Sequence, residues 1–347
     1  MADTVVPTGT DARAVLPDLV RTLREHPGLR GKAAIGLVSE VLGTADWICG
    51  PGDDGAAVEA LGGQVVACGE ALWPPFVAAD PYGAGFAAVL ANVNDIAAMG
   101  ARPLGIVDTI VGSEEVARAA LHGMRRAGEL YDVPILGGHL TVHDGAPAVS
   151  AFGVGTTRGR ALSVTRVRAG QSLLVVAALD GQMRPDFPFF AAFEGRGSRC
   201  AGDVRLFAQL AEAGTCVAAK DISMAGLVGS LAMLLEWGRH GVVLELDAIP
   251  IPPGVALPAW LTCFPSFGFL LCVPPGREAD CVQPFLDRGL HAAVVGRIDD
   301  SGHLALRSAG SCATVFDLAV DDVTRLSRPK SDRRLSRPKS DRRLSRP

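Results

Sequence analysis

The sequence predicts two α+β domains in tandem. Three observations carry that reading: a chain of 347 residues, a composition 48% hydrophobic and only 20% charged, and strand-like apolar runs alternating with amphipathic helical stretches. At roughly 150 residues per domain, the length accommodates two. The hydrophobic content suffices for buried cores and is unlike that of a disordered chain. Aromatic residues make up 5%, so the cores should consist of close-packed small side chains, and base-stacking platforms would need more rings.

Residues 1–34 form an N-terminal segment, 35–160 the first domain, 161–324 the second, and 325–347 a tail. In the first domain the apolar run 64–69 reads as a strand ending at Glu70. Between residues 82 and 99 apolar side chains run almost all round a helix, the pattern of a buried one. Ser113, with Glu114 and Glu115 behind it, reads as a helix start whose hydroxyl caps and whose acids face the positive dipole end. Val116, Ala120, Met124 and Ala127 share one face of that helix, and Tyr131-Asp132-Val133-Pro134 ends it ahead of an apolar strand. Beyond a joint at 158–168 come a helix at 203–213, a strand at 215–219 and a helix at 225–238 that Ser223 can cap. A strand at 242–246, a helix at 278–286 and a strand at 292–298 complete the second domain.

The tail is a nine-residue repeat, RLSRPKSDR. With one Leu and a proline per unit it cannot bury a core and is expected to take no part in the fold. From residue 325 on, ten Lys or Arg face two Asp, which leaves 23 basic and 35 acidic residues in the rest of the chain. An acidic body lacks the cations that a nucleic-acid surface needs. The eight cysteines (Cys49, Cys68, Cys200, Cys216, Cys263, Cys272, Cys281 and Cys312) include no Cys-x-x-Cys pair, so neither a zinc ribbon nor a disulfide framework is expected. Asp3, Asp11 and Asp18 interrupt the N-terminal apolar stretches, unlike a signal peptide. No apolar run reaches the ~18 residues of a membrane span. A cytoplasmic enzyme with reduced cysteines is the expectation.

Four segments carry candidate chemistry. In Gly50 to Glu59, glycines flank Asp53 and Asp54, adjacent carboxylates that repel each other and gain from a hard cation such as magnesium; a solvated turn uses the same residues. On the buried helix, Asn92 and Asp95 stand three apart on one face. A buried carboxylate needs a metal or a partner, the partner here being a backbone amide or Arg102. Gly137-Gly138-His139 ends a strand and suits close approach to a phosphate. His143 reads as structural, and zinc held by His139 and His143 lacks supporting cysteines or helical spacing. Asp221 and Ser223 lie at a strand-to-helix junction, a place for an anion or its metal, or simply a cap. Glu70 is a further carboxylate of interest. The P-loop, the Gly-x-Ser-x-Gly elbow and the His-Glu-x-x-His pair do not occur.

In order, these segments resemble the superfamily of aminoimidazole ribonucleotide (AIR) synthetase, selenophosphate synthetase, thiamine-monophosphate kinase and the hydrogenase maturation dehydratase. Gly52-Asp53-Asp54-Gly55-Ala56-Ala57-Val58 is similar to the Gly-Asp-Asp-x-Ala-Ala-Val pattern, and 80–103 to the Asp-Pro-Tyr to Ala-Met-Gly-x-x-Pro helix. Gly137-Gly138-His139 resembles the Gly-Gly-His of selenophosphate synthetases, and Lys220-Asp221-Ile222-Ser223 the Asp-Ile-Ser of the thiamine-phosphate kinases. The resemblance implies an AIR synthetase-like fold: an N-terminal domain that dimerises through its sheet, a C-terminal α+β domain, and ATP in a cleft. It implies Mg2+ held by Asp53, Asp54, Asp95 and Asp221, with Glu70 standing where relatives carry Asp. Asn92, Gly137 and Gly138 would line the nucleotide site, with Asp53 and Lys32 beside them, and Asp54, Asp95 and His139 would serve catalysis.

Departures bear on the substrate. Residues 27–32 include Lys32 but no Cys, unlike selenophosphate synthetases. His139 and Met224 stand where the thiamine-phosphate kinases carry acids. Residues 263–269 replace the late glycine-rich motif of the selenophosphate enzymes. The expected function is an ATP-dependent synthetase or ligase acting on a small molecule. A small-molecule kinase, a selenophosphate synthetase-like phosphotransferase and a non-catalytic nucleotide-binding protein are the alternatives.

Overall fold

The computed structural model describes residues 10–44 and 50–326. Cys49 and the repeat from residue 327 on lie outside the described residues.

Five strands build the first sheet: β1 (Ala56–Ala60), β2 (Gly63–Ala71), β3 (Arg102–Gly112), β4 (Ile135–Val142) and β5 (Ala148–Thr157), in the order β1-β2-β5-β3-β4. Neighbours pair antiparallel except β3 and β4, which are parallel. That crossover needs a helix, and Glu114–Tyr131 supplies it. Ser113 caps its start by accepting from the Val116 amide at 3.3 Å, and Asp132 ends it in the left-handed conformation at φ 52°.

The Pro81–Ala98 helix lies against the crossover helix with Ala84, Phe86, Ala88, Val89, Leu90 and Val93 buried. Asp80 caps it by accepting from the Gly83 amide at 2.8 Å. The two helices cross almost backbone to backbone: a Cβ at Gly85 would stand 2.0 Å from the Ala120 carbonyl oxygen. Only glycine permits that approach. The opposite face of the sheet exposes Val58, Val107 and Phe152.

The second sheet takes β6 (Ser172–Ala177), β9 (Ala218–Asp221), β10 (Gly241–Glu245), β12 (Gly268–Val273), β13 (His291–Asp299), β14 (His303–Ser308) and β15 (Ser311–Asp317), in the order β15-β14-β10-β13-β6-β12-β9. Three short strands, β7 (Gln182–Met183), β8 (Phe189–Ala191) and β11 (Phe264–Pro265), form a small sheet beside it. Every residue of β6, β9 and β12 is buried, as is every residue of the Gly226–Glu236 helix. Small and aliphatic side chains make up most of this core, as the composition predicts, with Phe190, Phe207, Phe267, Phe269, Phe285 and Trp260 as buried rings.

Two local expectations require correction. The strand expected at 215–219 begins at Ala218, because the Thr215 amide and hydroxyl both donate to the Leu210 carbonyl and finish the preceding helix. The later start carries Lys220 and Asp221 into the ladder, opposite Leu270 and Phe269. Ser223 does not cap the Gly226–Glu236 helix through its side chain: its carbonyl accepts from Gly226 in a tight turn, and its amide donates to the Ser230 hydroxyl at 3.2 Å. No described helix is long and apolar enough to cross a membrane.

Candidate functional site

Two adjacent aspartates in the loop ahead of β1 do different work. The turn is tight, with the Asp53 amide donating to the Gly50 carbonyl at 3.0 Å and Gly52 at φ 102°. Asp53 points toward the segment that joins the two sheets. Its carboxylate accepts from the Val164 amide at 2.6 Å, the Ser163 hydroxyl at 2.7 Å and the Gly50 amide at 3.0 Å. Burial pushes its pKa up to about 6 against the pull of the Ser163 and Val164 hydrogen bonds. Both Asp53 oxygens are engaged by protein, so this residue clasps the loop to the joint and stands outside the carboxylate cluster.

Asp54 faces the other way, across to β9. It pairs with the Lys220 ammonium and accepts from the Asp221 amide at 3.0 Å. On the C-terminal turn of the Pro81–Ala98 helix, Asp95 reaches the same spot. Among the described residues, Asp54, Asp95 and Asp221 are the group able to hold a metal, their oxygens lying within 4.8 Å of one another. A loop, a helix and a strand thus converge on one point.

The electrostatics fit a cation. Burial raises the Asp95 and Asp221 pKa values, and the neighbouring carboxylates raise them further. Lys220 relieves part of the repulsion; burial lowers its own pKa, but the charges of Asp54, Asp221 and Asp95 outweigh burial and raise it. No hydrogen bond reaches the Asp95 carboxylate among the described residues, and Arg102 is exposed rather than paired with it. Hard oxygen donors with excess negative charge are the ligand set magnesium prefers. The residues present fit such an ion.

The other candidates divide. Lys32 lies close enough to Glu70 and Asp221 to counter the upward shift of both carboxyls. Its placement depends on Gly28, where a Cβ would stand 2.0 Å from the Met224 carbonyl oxygen, and on Leu29, which is buried. These contacts lay the Pro27–Arg30 helix over the turn after Asp221. Glu70 is exposed at the end of β2, outside the cluster, though burial of its surroundings and the Asp54 charge raise its pKa. Asn92 is fully buried: it donates to the Ala88 and Ala151 carbonyls and accepts from the Gly153 amide at 2.7 Å and the Cys68 thiol at 3.2 Å. Its amide is saturated and pins the helix to β5, leaving nothing for a nucleotide. Asn92 and Asp95 both approach Cys68, as residues three apart on one face should, but only Asp95 joins the carboxylate cluster.

Gly137, Gly138 and His139 lie exposed on the edge strand β4, with open space around Gly137. A Cβ at Gly138 would stand 2.6 Å from the buried Asp108 carboxylate. His143 accepts from the Gly145 amide at 2.7 Å, a turn contact, and neither histidine joins the carboxylate cluster. Reasoning from sequence missed Lys220 and Asp108. Lys220 stands in the Lys-Asp-Ile-Ser segment, but a lysine beside an acid reads as a solvated pair.

Comparison with known proteins decides the family. Residues 52–157 match the model of the AIR synthase related protein, N-terminal domain, and residues 200–308 that of the C-terminal domain. The chain belongs to the AIR synthase related family. It is 33% identical over 318 residues to the uncharacterized protein sll0787 of Synechocystis sp. (strain PCC 6803), covering 89% of this chain and 98% of that one. T. maritima PurL complexed with ADP shares the fold at TM-score 0.66 and 20% identity, over 80% of this chain and 48% of PurL. The chain thus spans about half the length of PurL. AaThiL complexed with AMPPCP and TMP matches at TM-score 0.62 and 19% identity, over 82% of this chain and 96% of that chain. The fold is the two-domain AIR synthetase-like one.

Proposed function

We propose that this AIR synthase related protein is a Mg-ATP-dependent synthetase that activates an oxygen of a small molecule by phosphorylation before a second nucleophile displaces phosphate. The convergence of Asp54, Asp95 and Asp221 within 4.8 Å carries this reading. Magnesium bound there would neutralise charge on the transferring phosphoryl group, the main requirement of such chemistry. The PurL and ThiL relatives are described with ADP and AMPPCP, which supports a nucleotide as the ligand.

The chain's own residues then have defined tasks. Asp54, Asp95 and Asp221 would hold the ion, and Lys32, near Asp221, offers a cation for phosphate. Asp53 holds the loop in place through Ser163 and Val164. The bond formed joins the substrate oxygen to the γ-phosphorus, the bond to the β-phosphate oxygen breaks, and ADP leaves. A catalytic side-chain nucleophile is not required.

A kinase is the second reading, favoured by the near-complete coverage of the ThiL chain. Incubation with Mg-ATP and candidate carboxylates, amides and amines separates the two. Free phosphate together with a condensed product is the expected result, and a stable phosphoryl ester would establish the kinase. If ATP with Mg2+ neither raises the melting temperature nor is consumed, both readings are wrong.

A further inference from the structure

Lys220 stands where a cation is needed. It sits in the β9 ladder opposite Leu270, with its main chain fixed between Ala219 and Asp221. Its side chain is 8% exposed and that of its partner Asp54 is 6% exposed. A buried ammonium persists only where anions compensate its lost hydration, and three acids surround this one: Asp54 in direct contact, with Asp221 and Asp95 within electrostatic reach. The two Asp54 oxygens are divided, Oδ1 to the Lys220 ammonium and Oδ2 to the Asp221 amide. A divalent ion bridging the three aspartates must therefore share or take the oxygen that Lys220 holds.

We propose that Lys220 is a built-in counter-cation that keeps the three-carboxylate cluster assembled before metal arrives and competes with the incoming divalent ion for Asp54. The inference rests on the reading of the cluster as a metal site. Two cations on one carboxylate oxygen repel, so metal entry displaces the ammonium, and the four-carbon lysine stem permits that movement without shifting β9. Without Lys220 the cluster would be preassembled less firmly and would bind a divalent ion more tightly. A lysine of purely structural value would cost stability when removed, and added metal would not restore it.

The test uses the full chain and Mn2+ alone, without nucleotide, with binding followed by electron paramagnetic resonance. Lys220→Met is expected to bind Mn2+ tighter than the native protein by about tenfold or more. It should also melt at lower temperature without metal and recover the loss at saturating Mn2+. Equal or weaker Mn2+ binding by Lys220→Met overturns the inference while leaving the carboxylate site standing. Failure of the native protein to bind Mn2+ overturns the site and the inference together. Should Lys220→Met fail to fold, Mg2+ titration of native protein carrying 15N-lysine replaces it: the Lys220 ammonium resonance is expected to shift, and a resonance that stays in place overturns the inference.

Discussion

Asp95→Asn is expected to lower Mg-ATP turnover by about a hundredfold or more, the size of effect that follows removal of one preorganised electrostatic partner. The asparagine keeps the shape and removes one of the three charges within 4.8 Å. The same substitution should stabilise the metal-free protein, because Asp95 opposes Asp221, Asp54 and Glu70 from an enclosed position. Its pH dependence distinguishes this from a general loss of fold. Asp95 and Asp221 hold their protons to higher pH in the folded protein than in the unfolded chain. Such acids add stability below the ordinary carboxylate pKa, and that contribution disappears as pH rises through the folded values. The native melting temperature without metal should therefore fall on going from acidic to alkaline buffer, and that of Asp95→Asn should fall less. Thermal scans across pH, read beside the turnover assay, check both parts. Normal turnover by Asp95→Asn would remove this residue from the mechanism.

Phe207→Ala is expected to destabilise the protein by about 3–5 kcal/mol, the range for deleting a buried aromatic side chain that leaves a cavity. Phe207 is fully buried, with its ring centroid 4.3 Å from that of Phe269 and 5.4 Å from that of Phe285. Phe269 pairs in register with Asp221, so loosening the cluster acts on the end of β9 as well as on the core. Denaturant unfolding of Phe207→Ala measures the loss; a change under about 1 kcal/mol would mean the cavity collapses, against the usual behaviour of close-packed cores.

The fold was largely legible because its helices differ in kind. Pro81–Ala98 is apolar nearly all round and is buried between a sheet and another helix, whereas Glu114–Tyr131 is amphipathic and has capping residues at both ends. The strand at Ala218–Asp221 was misplaced because Thr215, β-branched and beside apolar residues, reads as strand, yet its hydrogen bonds to Leu210 close a helix. Periodicity does not reveal where a hydroxyl will donate.

The candidate site was legible in part. Asp54, Asp95 and Asp221 carry the expected residue types and come together from positions far apart in the chain. Which way each side chain turns was not readable. Asp53 and Asp54 are neighbours in one loop, yet one clasps the joint and the other faces Lys220. Asn92 and Asp95 share a helix, yet the amide saturates its bonds against Ala88, Ala151 and Gly153 while the carboxylate stays open. Lys220 was missed because its burial depends on an ion pair spanning 166 residues of sequence, and no local pattern encodes that.

The most direct test is a crystal structure with Mn2+ and a non-hydrolysable ATP analogue, recorded at the manganese absorption edge. An anomalous peak in contact with carboxylate oxygens of Asp54, Asp95 and Asp221 and with the analogue's phosphates is the result predicted. Nucleotide bound with its metal elsewhere, and these three carboxylates untouched, would contradict the account.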